Sequence, residues 1–587
     1  MDKSIVVLPF KNMSGDASYD YFSDGITEEI INALSKIEGL KVTARTSSFA
    51  FKDKHTDIRI IGNELGVTNA VEGSIRIAKD RIRISTQLTR TDNGFLLWSE
   101  KFDRQLDDVF ELQDEISLLI ADKIRENFGH IDIDESLSTI HTQNLKAYQW
   151  YLKGRHYQLT WNLVNMEKAI DFYKKSATID TNYADPLVAI GWCYVIIGSW
   201  QHIDRTEGLK KANEYLKKGY DLNANSYMGH FAKATISFWG NWEFKKGYQE
   251  LIECLSINPY FSEANEALAE LYTANGLFDE ALKETEHILK INPLSPNHYY
   301  TRGNIFYLTG DYDTAIKCFE SSLKIDKTFD LSRHLKLACF IFNKKKNEAI
   351  LFAKTFLSDK FVVIIEEIYN AVINQQIITY NEFLLSDEEN LMVCWDLYYL
   401  IYCDKTEEAL NRLEILVTER IGQVINFQFD PFFEPLRHTS KYKKLIHSIA
   451  ATNEIKALFL PEPNVNTSLI FTEDESSKLL SELNELLQTS KPFLNSEISL
   501  RSLAKQLNIN PNKLSKFIND TLQTNFNELI NGHRLSYFKH IAIQPENKHL
   551  TILGLAYESG FNSKTVFNTF FKKMEGITPK AWLKNRT

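Results

Sequence analysis

The sequence predicts a multidomain protein in which three architectures follow one another: an α/β sandwich N-terminal domain, an all-α repeat solenoid and an all-α double helix-turn-helix C-terminal domain. Three observations lead to this prediction. At 587 residues the chain is too long for one hydrophobic core. Strand-like and helix-like stretches mix only near the start, and small residues recur at a fixed spacing in the middle. The last hundred or so residues contain two patterns of helix, tight turn and helix. The predicted domains are residues 1–130, 141–450 and 491–587, with a linker over 451–490.

Charge is distributed unevenly along the chain. The whole sequence carries a net charge of −10, but from Lys491 onward 14 Lys and Arg stand against 6 Asp and Glu, which gives +8. The preceding residues therefore carry −18. A basic terminal domain on an acidic body indicates double-stranded DNA as the partner of the tail.

Composition is that of a soluble globular protein, with 44% hydrophobic and 25% charged residues. The sequence lacks an apolar window of membrane-spanning length, and the apolar run Ile5 to Phe10 is too short for a secretory signal. We therefore predict a cytoplasmic protein without a membrane partner. The six cysteines form no CxxC pair and have no His cluster near them, so we predict buried, reduced thiols, with no metal and no cofactor.

The N-terminal elements follow from short apolar runs and turn residues. Helices are predicted through Ile26 to Leu34, over Asp57 to Leu65 and over Asp107 to Phe128, and a polar turn over Asn12 to Asp20. Five strands complete a mixed sheet, at Ile5–Phe10, Leu40–Ala44, Ala70–Ile77, Ile82–Arg90 and Phe95–Phe102.

This domain resembles the TolB-like domain that precedes tetratricopeptide arrays in bacterial regulators and some cyclases. The resemblance rests on segments spread over the whole domain, including Tyr21-Phe22-Ser23-Asp24-Gly25, Ala44-Arg45-Thr46-Ser47-Ser48-Phe49 and Leu97-Trp98-Ser99-Glu100. It implies a fold and not a chemistry. A phosphate-cradling glycine motif is missing from the sequence. We interpret its polar candidates as capping, turn and ion-pair residues, namely Asp24, Arg45, Ser47, Ser48 and Asp103. We predict a sensory or docking role and predict that the protein is not an enzyme.

The middle region repeats every 34 residues. Gly247, Ala281, Ala315 and Ala349 occupy the small-residue position of successive copies, and Asn-Pro follows two of them as a helix stop. This period is the signature of tetratricopeptide repeats, in which a small residue lets paired helices approach closely. We predict five to seven repeats, a degenerate stretch from Phe361 to Tyr402 and a closing segment over Phe429 to Arg437. Most of the abundant aromatic residues are predicted to be core, namely Trp150, Tyr151, Trp161, Trp192, Trp200, Trp239 and Trp242. The concave groove is expected to bind a protein or peptide partner.

The linker contains the break Pro461 to Asn466, followed by a polar amphipathic helix over Glu473 to Gln488. Packing of its leucine stripe against a domain is favoured over self-association.

The C-terminal region contains two helix-turn-helix units. In the first, Leu500 to Leu507 forms a helix, Asn508 to Asn510 the turn, and Pro511 begins the second helix. A joining helix of about 18 residues follows, from Phe526 to Ile543. It places the two recognition helices about 34 Å apart, one turn of B-DNA, so that a single chain can read two major grooves. The second unit has a short helix around Leu555, the break at Gly560, a cap at Asn562 or Ser563, and a recognition helix.

Over its full length this region resembles the AraC-type DNA-binding domain, in residues such as Leu503-Ala504, Arg534-Leu535, Gly560-Phe561, Phe571-Lys572-Lys573 and Thr578-Pro579. By position in that family, the base-facing candidates are Asn512, Ser515, Lys516, Lys564, Thr565, Asn568 and Thr569. Phosphate contacts are expected from Lys513, Lys572 and Lys573. Two departures from the family pattern are Thr569 where Arg is frequent and Asn508 where Gly is usual.

The functional hypothesis is a one-chain transcription regulator. A ligand or protein partner on the first two modules would change the orientation or dimerisation of the tail, so a small-molecule effector and a homodimer are both open. The alternative is a tetratricopeptide scaffold for protein assembly that the tail only tethers to DNA.

Overall fold

The computed structural model describes residues 3–133, 142–159, 163–199, 203–381, 393–403, 405–449, 452–458 and 472–585. Its N-terminal part is built on a six-stranded sheet. The strands are β1 (Ser4–Val7), β2 (Lys11–Asn12), β3 (Lys41–Val42), β4 (Asn69–Ala78), β5 (Arg81–Arg90) and β6 (Leu96–Gln105). The helices are α1 (Asp20–Leu34), α2 (Arg45–Phe49), α3 (Ile58–Leu65) and α4 (Val109–Phe128).

The sheet is mixed, in agreement with the prediction. Its order is β3-β1-β4-β5-β6, with β2 also paired to β4. The pairings of β1 with β3 and β4 are parallel, whereas β4, β5 and β6 are antiparallel. Alternation along β5 buries Ile82, Ile84 and Leu88 against α1 and α4. A smaller core that includes Ile61 and Leu65 of α3 covers the opposite face.

Two short elements of this sheet region differ from the prediction. β2 takes the first residue of the predicted polar turn, because Lys11 and Asn12 pair with Ser74 and Ile75 of β4. The residues after β3 form the helix α2, so the strand predicted to reach Ala44 ends at Val42. Both elements depend on contacts with other parts of the chain, which a local sequence pattern does not indicate.

The described residues of the middle region form helices joined by turns and short irregular segments. Its helices are α5 (Leu145–Gln158), α6 (Leu163–Ile179), α7 (Ala184–Ser199), α8 (Arg205–Leu222), α9 (Tyr227–Thr235), α10 (Phe244–Ile257), α11 (Ser262–Ala274), α12 (Phe278–Ile291), α13 (Pro296–Thr309), α14 (Tyr312–Ile325), α15 (Asp330–Phe342), α16 (Lys346–Ala353), α17 (Asp359–Asn374), α18 (Trp395–Tyr402), α19 (Thr406–Thr418), α20 (Ser440–Ile449) and α21 (Thr452–Lys456). Successive helices pack as pairs from α5 and α6 through α15 and α16, and α18 pairs with α19. One continuous core runs through the array.

The small residues that carry the 34-residue period lie at helix crossings. Ala281, Ala315 and Ala349 are fully buried. A Cβ atom on Gly247 would lie 3.0 Å from Cβ of Phe238 on the neighbouring turn of chain, so a larger side chain would push that pair apart. The recurrence in the sequence is therefore a recurrence of close helix contacts.

The closing segment enters the core of the array. Asp430 accepts hydrogen bonds from the hydroxyls of Tyr307 at 2.9 Å and Tyr398 at 2.5 Å, and Phe432 stacks on Tyr398. Of the seven aromatics predicted to be mostly core, Trp192 and Trp242 are buried, Trp150, Tyr151 and Trp239 are half-buried, and Trp161 and Trp200 lie outside the described residues. All six cysteines are free, and all but Cys318 are buried.

The C-terminal region consists of seven helices: α22 (Glu473–Thr489), α23 (Leu500–Gln506), α24 (Pro511–Asp520), α25 (Phe526–Ile541), α26 (Ile552–Glu558), α27 (Lys564–Glu575) and α28 (Pro579–Lys584). The leucines of α22 pack against α23 and α24, which agrees with the packing favoured for its apolar stripe. A separate core joins α25 to α26, α27 and α28. Residues 459–471 of the predicted linker lie outside the described residues. Within the described ranges, no helix is both long and apolar enough to cross a membrane.

The N-terminal part packs against the helical array through its polar candidates. Glu28 of α1 pairs with Arg45 at 3.3 Å and with Arg155 of α5. Ser47 Oγ donates to Asn292 Oδ1 and accepts from the amide of Leu294 at 2.8 Å. These are structural contacts, as the sequence interpretation expected.

The other polar candidates of this part also have structural partners. Ser48 donates to the carbonyl of Val7. Asp24 pairs with Lys52 at 2.6 Å. Asp103 pairs with two arginines of β5, Arg81 and Arg83.

Candidate nucleic-acid interface

The first helix pair, α23 and α24, is fixed by caps at both starts. Ser499 and Ser502 bond each other's backbone amides, and Asn510 accepts from the amide of Asn512 at 2.7 Å. Pro511 is the first residue of α24. Asn508 in the turn has φ of 53°, so this Asn adopts the left-handed conformation for which the family usually uses Gly. The pair keeps its tight turn despite the departure.

The second helix pair, α26 and α27, turns at Gly560. This residue has φ of 88°, and a Cβ atom there would lie 2.3 Å from the carbonyl oxygen of Phe493. Ser563 caps α27 by accepting from the amide of Val566 at 3.2 Å, which decides between the two predicted caps. Phe567 and Phe571 point into the core, so the polar side of α27 faces away from it.

The joining helix α25 connects the two pairs. It covers 16 residues, or about 24 Å at 1.5 Å per residue, slightly shorter than predicted. Arg534 lies buried on it and donates to the carbonyls of Phe493 at 2.7 Å and Asn495 at 2.8 Å. Burial lowers the pKa of Arg534 to about 10. This arginine fixes the helix to the preceding segment and does not face solvent.

The predicted DNA-facing residues of α27 are accessible. Lys564, Thr565 and Thr569 are exposed, and Asn568 is half-buried. The predicted phosphate contacts on the same helix are also exposed, although Lys573 forms an ion pair with Glu528 of α25. α27 therefore presents a largely polar, positively charged surface, on which Val566 and Met574 are also exposed.

The predicted base-facing residues of α24 lie instead against the N-terminal part. Asn512 Oδ1 accepts from Arg125 Nη1 at 2.5 Å, and Asn512 Nδ2 donates to the carbonyl of Ile133 at 3.2 Å. Ser515 is only 2% exposed. Lys516 is half-buried close to His130. Burial chiefly lowers the pKa of that imidazole, and the charge of Lys516 adds to the effect. Lys513 faces α22, where it pairs with Glu475 at 3.5 Å.

Two further groups of the first pair were missed by sequence reasoning. Arg501 forms an ion pair with Asp122 of α4. The backbone amide of Leu500, at the start of α23, donates to Glu126 Oε1 at 2.9 Å. Arg501 and the Leu500 amide thus both bond carboxylates of α4, and the Ser-Leu-Arg-Ser sequence could have indicated a capped helix start followed by an arginine.

Three family models match parts of the chain. Residues 503–585 match a helix-turn-helix domain, residues 1–119 match the second domain of HilA/YgeH-like transcriptional regulators, and residues 296–329 match a tetratricopeptide repeat. The chain carries an AraC-type helix-turn-helix domain, a HilA-like regulator domain and a tetratricopeptide repeat. The TolB-like description of the N-terminal domain stays a prediction.

Curated relatives share parts of the sequence. A protein named putative adenylate cyclase 3 of Rhizobium meliloti (strain 1021) is 36% identical over 243 residues, which cover 40% of each chain. Tetratricopeptide repeat protein 13 of Homo sapiens is 25% identical over 28% of this chain and 19% of its own. The chain thus spans well under half the length of these relatives.

Solved structures similar to the chain include Pseudomonas aeruginosa pilF, 16% identical with a TM-score of 0.29 over 36% of this chain and 90% of its own. A thermophilic TPR protein of Thermus thermophilus is 11% identical with a TM-score of 0.28 over 33% of this chain and 99% of its own. Scores of this size carry no argument about function.

The match to the putative adenylate cyclase corrects one prediction. The absence of a catalytic constellation from the sequence predicted that the protein is not an enzyme. This prediction is contradicted, because a relative with 36% identity over 243 residues carries an enzyme's name.

Proposed function

We propose that this chain is a sequence-specific DNA-binding transcription regulator of the cytoplasm, and that its N-terminal and repeat modules control its DNA-binding tail. The tail would read DNA as two helix-turn-helix units, with α24 and α27 as recognition helices. The four modules would be residues 1–130, 141–450, 451–490 and 491–587.

The observation that carries this proposal is the surface of α27. Its aromatic face is buried, and the opposite face exposes Lys564, Thr565, Thr569 and two further lysines to solvent. Amide and hydroxyl groups together with lysines are the side chains that read base edges and hold phosphates in a major groove. The match of residues 503–585 to a helix-turn-helix domain supports the same role.

The repeat array supports a second partner. Stacked helix pairs form an extended surface of the kind that binds peptides. A protein or peptide bound there, or a small effector bound to the N-terminal domain, would supply the signal, and a homodimer would double the number of DNA contacts.

The first helix-turn-helix unit would supply four of the candidate DNA contacts, namely Asn512, Lys513, Ser515 and Lys516.

The test is DNA selection from a random-sequence library with the full-length chain, followed by affinity measurements on the Lys564→Ala/Asn568→Ala variant. We expect this variant to bind the selected duplex about ten- to a hundredfold more weakly, because one base contact contributes roughly 1–3 kcal/mol. The loss of a lysine should also make the salt dependence shallower.

Lys580→Ala is the matched control, because it removes an exposed lysine from α28, outside the recognition helix. Equal binding by the double variant and the control would contradict the proposal. DNA binding that depends on α27 but leaves reporter transcription unchanged in vivo would favour the tethered scaffold instead.

A further inference from the structure

The C-terminal end of α4 covers the reading face of the first helix pair. Contacts run from Asp122 to Ile133 on one side and from Leu500 to Asn527 on the other. Besides the bonds to Asn512, the amide of Asn527 on α25 donates to Asn127 Oδ1 at 2.9 Å. A Cβ atom on Gly129 would lie 2.6 Å from Asn519 Oδ1, which shows how closely the two surfaces fit.

The groups on α4 match those that DNA would offer. Asp122 forms an ion pair with Arg501, a guanidinium of the kind that contacts backbone phosphates, and Glu126 accepts from the Leu500 amide beside it. Both carboxylates are almost fully buried, with 5% and 3% exposure. Two acidic groups are therefore committed to this contact and are not left as a solvated face.

The amide of Asn512 is satisfied in the same way. An asparagine reads adenine by accepting from its amino group and donating to its ring nitrogen. Here the acceptor oxygen is taken by Arg125 and the donor nitrogen by the carbonyl of Ile133. Neither half of the Asn512 amide is available to a base in this conformation.

We propose that α4 and residues 129–133 form an intramolecular competitor of DNA, which occupies the phosphate-binding and base-reading groups of the first helix pair. This inference rests on the proposed DNA-binding function. Of the two recognition helices, α27 is open to DNA in the conformation described and α24 is covered, so binding through both pairs requires the N-terminal domain to leave α24. A signal that moves this domain increases DNA affinity without changing any DNA-contacting residue.

The first experiment weakens the contact between α4 and the first helix pair by removing the carboxylates of α4. Full-length Glu126→Ala and Asp122→Ala proteins are compared with wild type on duplexes selected from a random library by the Glu126→Ala chain. We expect about tenfold tighter binding, because loss of the acceptor leaves the Leu500 amide unsatisfied only in the closed state. The salt dependence should also become steeper, because the first pair adds phosphate contacts.

Glu115→Ala is the matched control for this experiment. Glu115 lies on the same helix but pairs with Arg104 of β6, away from the C-terminal region. Its affinity should equal that of wild type. Equal affinity of all four proteins for the selected duplex would overturn the inference and leave the proposed function standing. No enrichment of any sequence, and no binding even at low salt, would overturn both.

The second experiment closes the contact, and it does not depend on how well the alanine variants fold. Asn127→Cys and Asn527→Cys are combined in the full chain and joined by a short bis(methanethiosulfonate) cross-linker, which forms a reducible disulfide with each cysteine and releases methanesulfinate. We expect cross-linked protein to lose its tighter mode of binding and reduction to restore it. Wild type with its own six cysteines, treated identically, is the control. Unchanged binding after verified cross-linking would overturn the inference.

Discussion

At the residue scale, Gly560 is the position where sequence and conformation are most tightly coupled. Its φ of 88° lies in the left-handed region, and the carbonyl of Phe493 occupies the space of a side chain. Only glycine satisfies both conditions. The break between α26 and α27 therefore also sets how closely the second helix pair packs on the segment before α23.

We predict that Gly560→Ala destabilises the C-terminal region by at least about 1 kcal/mol, because both the backbone conformation and the space are incompatible with Cβ. Gly532→Ala is the control, since Gly532 lies in the interior of α25 and an added Cβ meets nothing within 4 Å. Hydrogen exchange of peptides from residues 552–584 should accelerate only in the first variant. Equal protection in the two proteins would contradict the steric argument.

At the element scale, the sequence predicts those parts whose pattern is local. Alternation predicts β5, and the small residues at a 34-residue spacing predict the paired helices of the array. The caps at Ser563 and the turn at Asn508 also follow from residue type. β2 and α2 do not follow from residue type, because two residues of strand and a single helical turn are too short to show a period. Their structure depends on contacts with neighbouring segments of the chain.

The array also contains polar groups that the period does not indicate. Glu270 of α11 accepts from Trp239 Nε1 at 3.0 Å. Burial, together with the nearby Glu266, raises the pKa of Glu270 to about 8. The folded state therefore keeps a proton that the unfolded state loses above its ordinary pKa of roughly 4.3. As a result, the free energy of unfolding decreases as pH rises from that value to about 8.

We predict that Glu270→Gln stabilises the array at pH 8 by on the order of 1 kcal/mol, a discounted value because the side chain is not wholly shielded from water. The glutamine keeps an acceptor for Trp239 and carries no charge at any pH. The stabilisation by Glu270→Gln should disappear when the pH is lowered to the pKa of an ordinary carboxyl. Thermal unfolding across this pH range is the measurement, with the exposed Glu253→Gln as control. A gain that does not depend on pH would contradict the assignment.

At the scale of the whole molecule, the N-terminal domain connects the other two regions. It contacts the array through Glu28 and Ser47, and it contacts the first helix pair through Asp122 and Glu126. The latter contact joins residues 374 positions apart in the chain. No local pattern specifies such a contact, so the sequence could indicate the DNA-facing residues of α24 but not that they are covered.

This arrangement gives the repeat array a route to the DNA-binding region. Ser47 is fully buried and bonds the turn between α12 and α13 through both its donor and its acceptor. A partner that changes the curvature of the array would displace this turn and, with it, the domain that carries α4. This route exists only if the Ser47 contact contributes substantially to the attachment of the N-terminal domain to the array.

We predict that Ser47→Ala weakens this attachment by roughly 1–3 kcal/mol, because it leaves the amide of Leu294 without its buried acceptor. Hydrogen exchange should accelerate in peptides that cover residues 44–49 and 291–295, while α13 and α14 keep their protection. Ser256→Ala is the control, because its hydroxyl bonds the nearby carbonyl of Glu253 on an exposed surface. If the repeat array controls DNA binding through this contact, Ser47→Ala also shifts DNA affinity, whereas Ser256→Ala does not. A faster exchange without any change in affinity would separate the two functions of the N-terminal domain and place control of the tail in α4 alone.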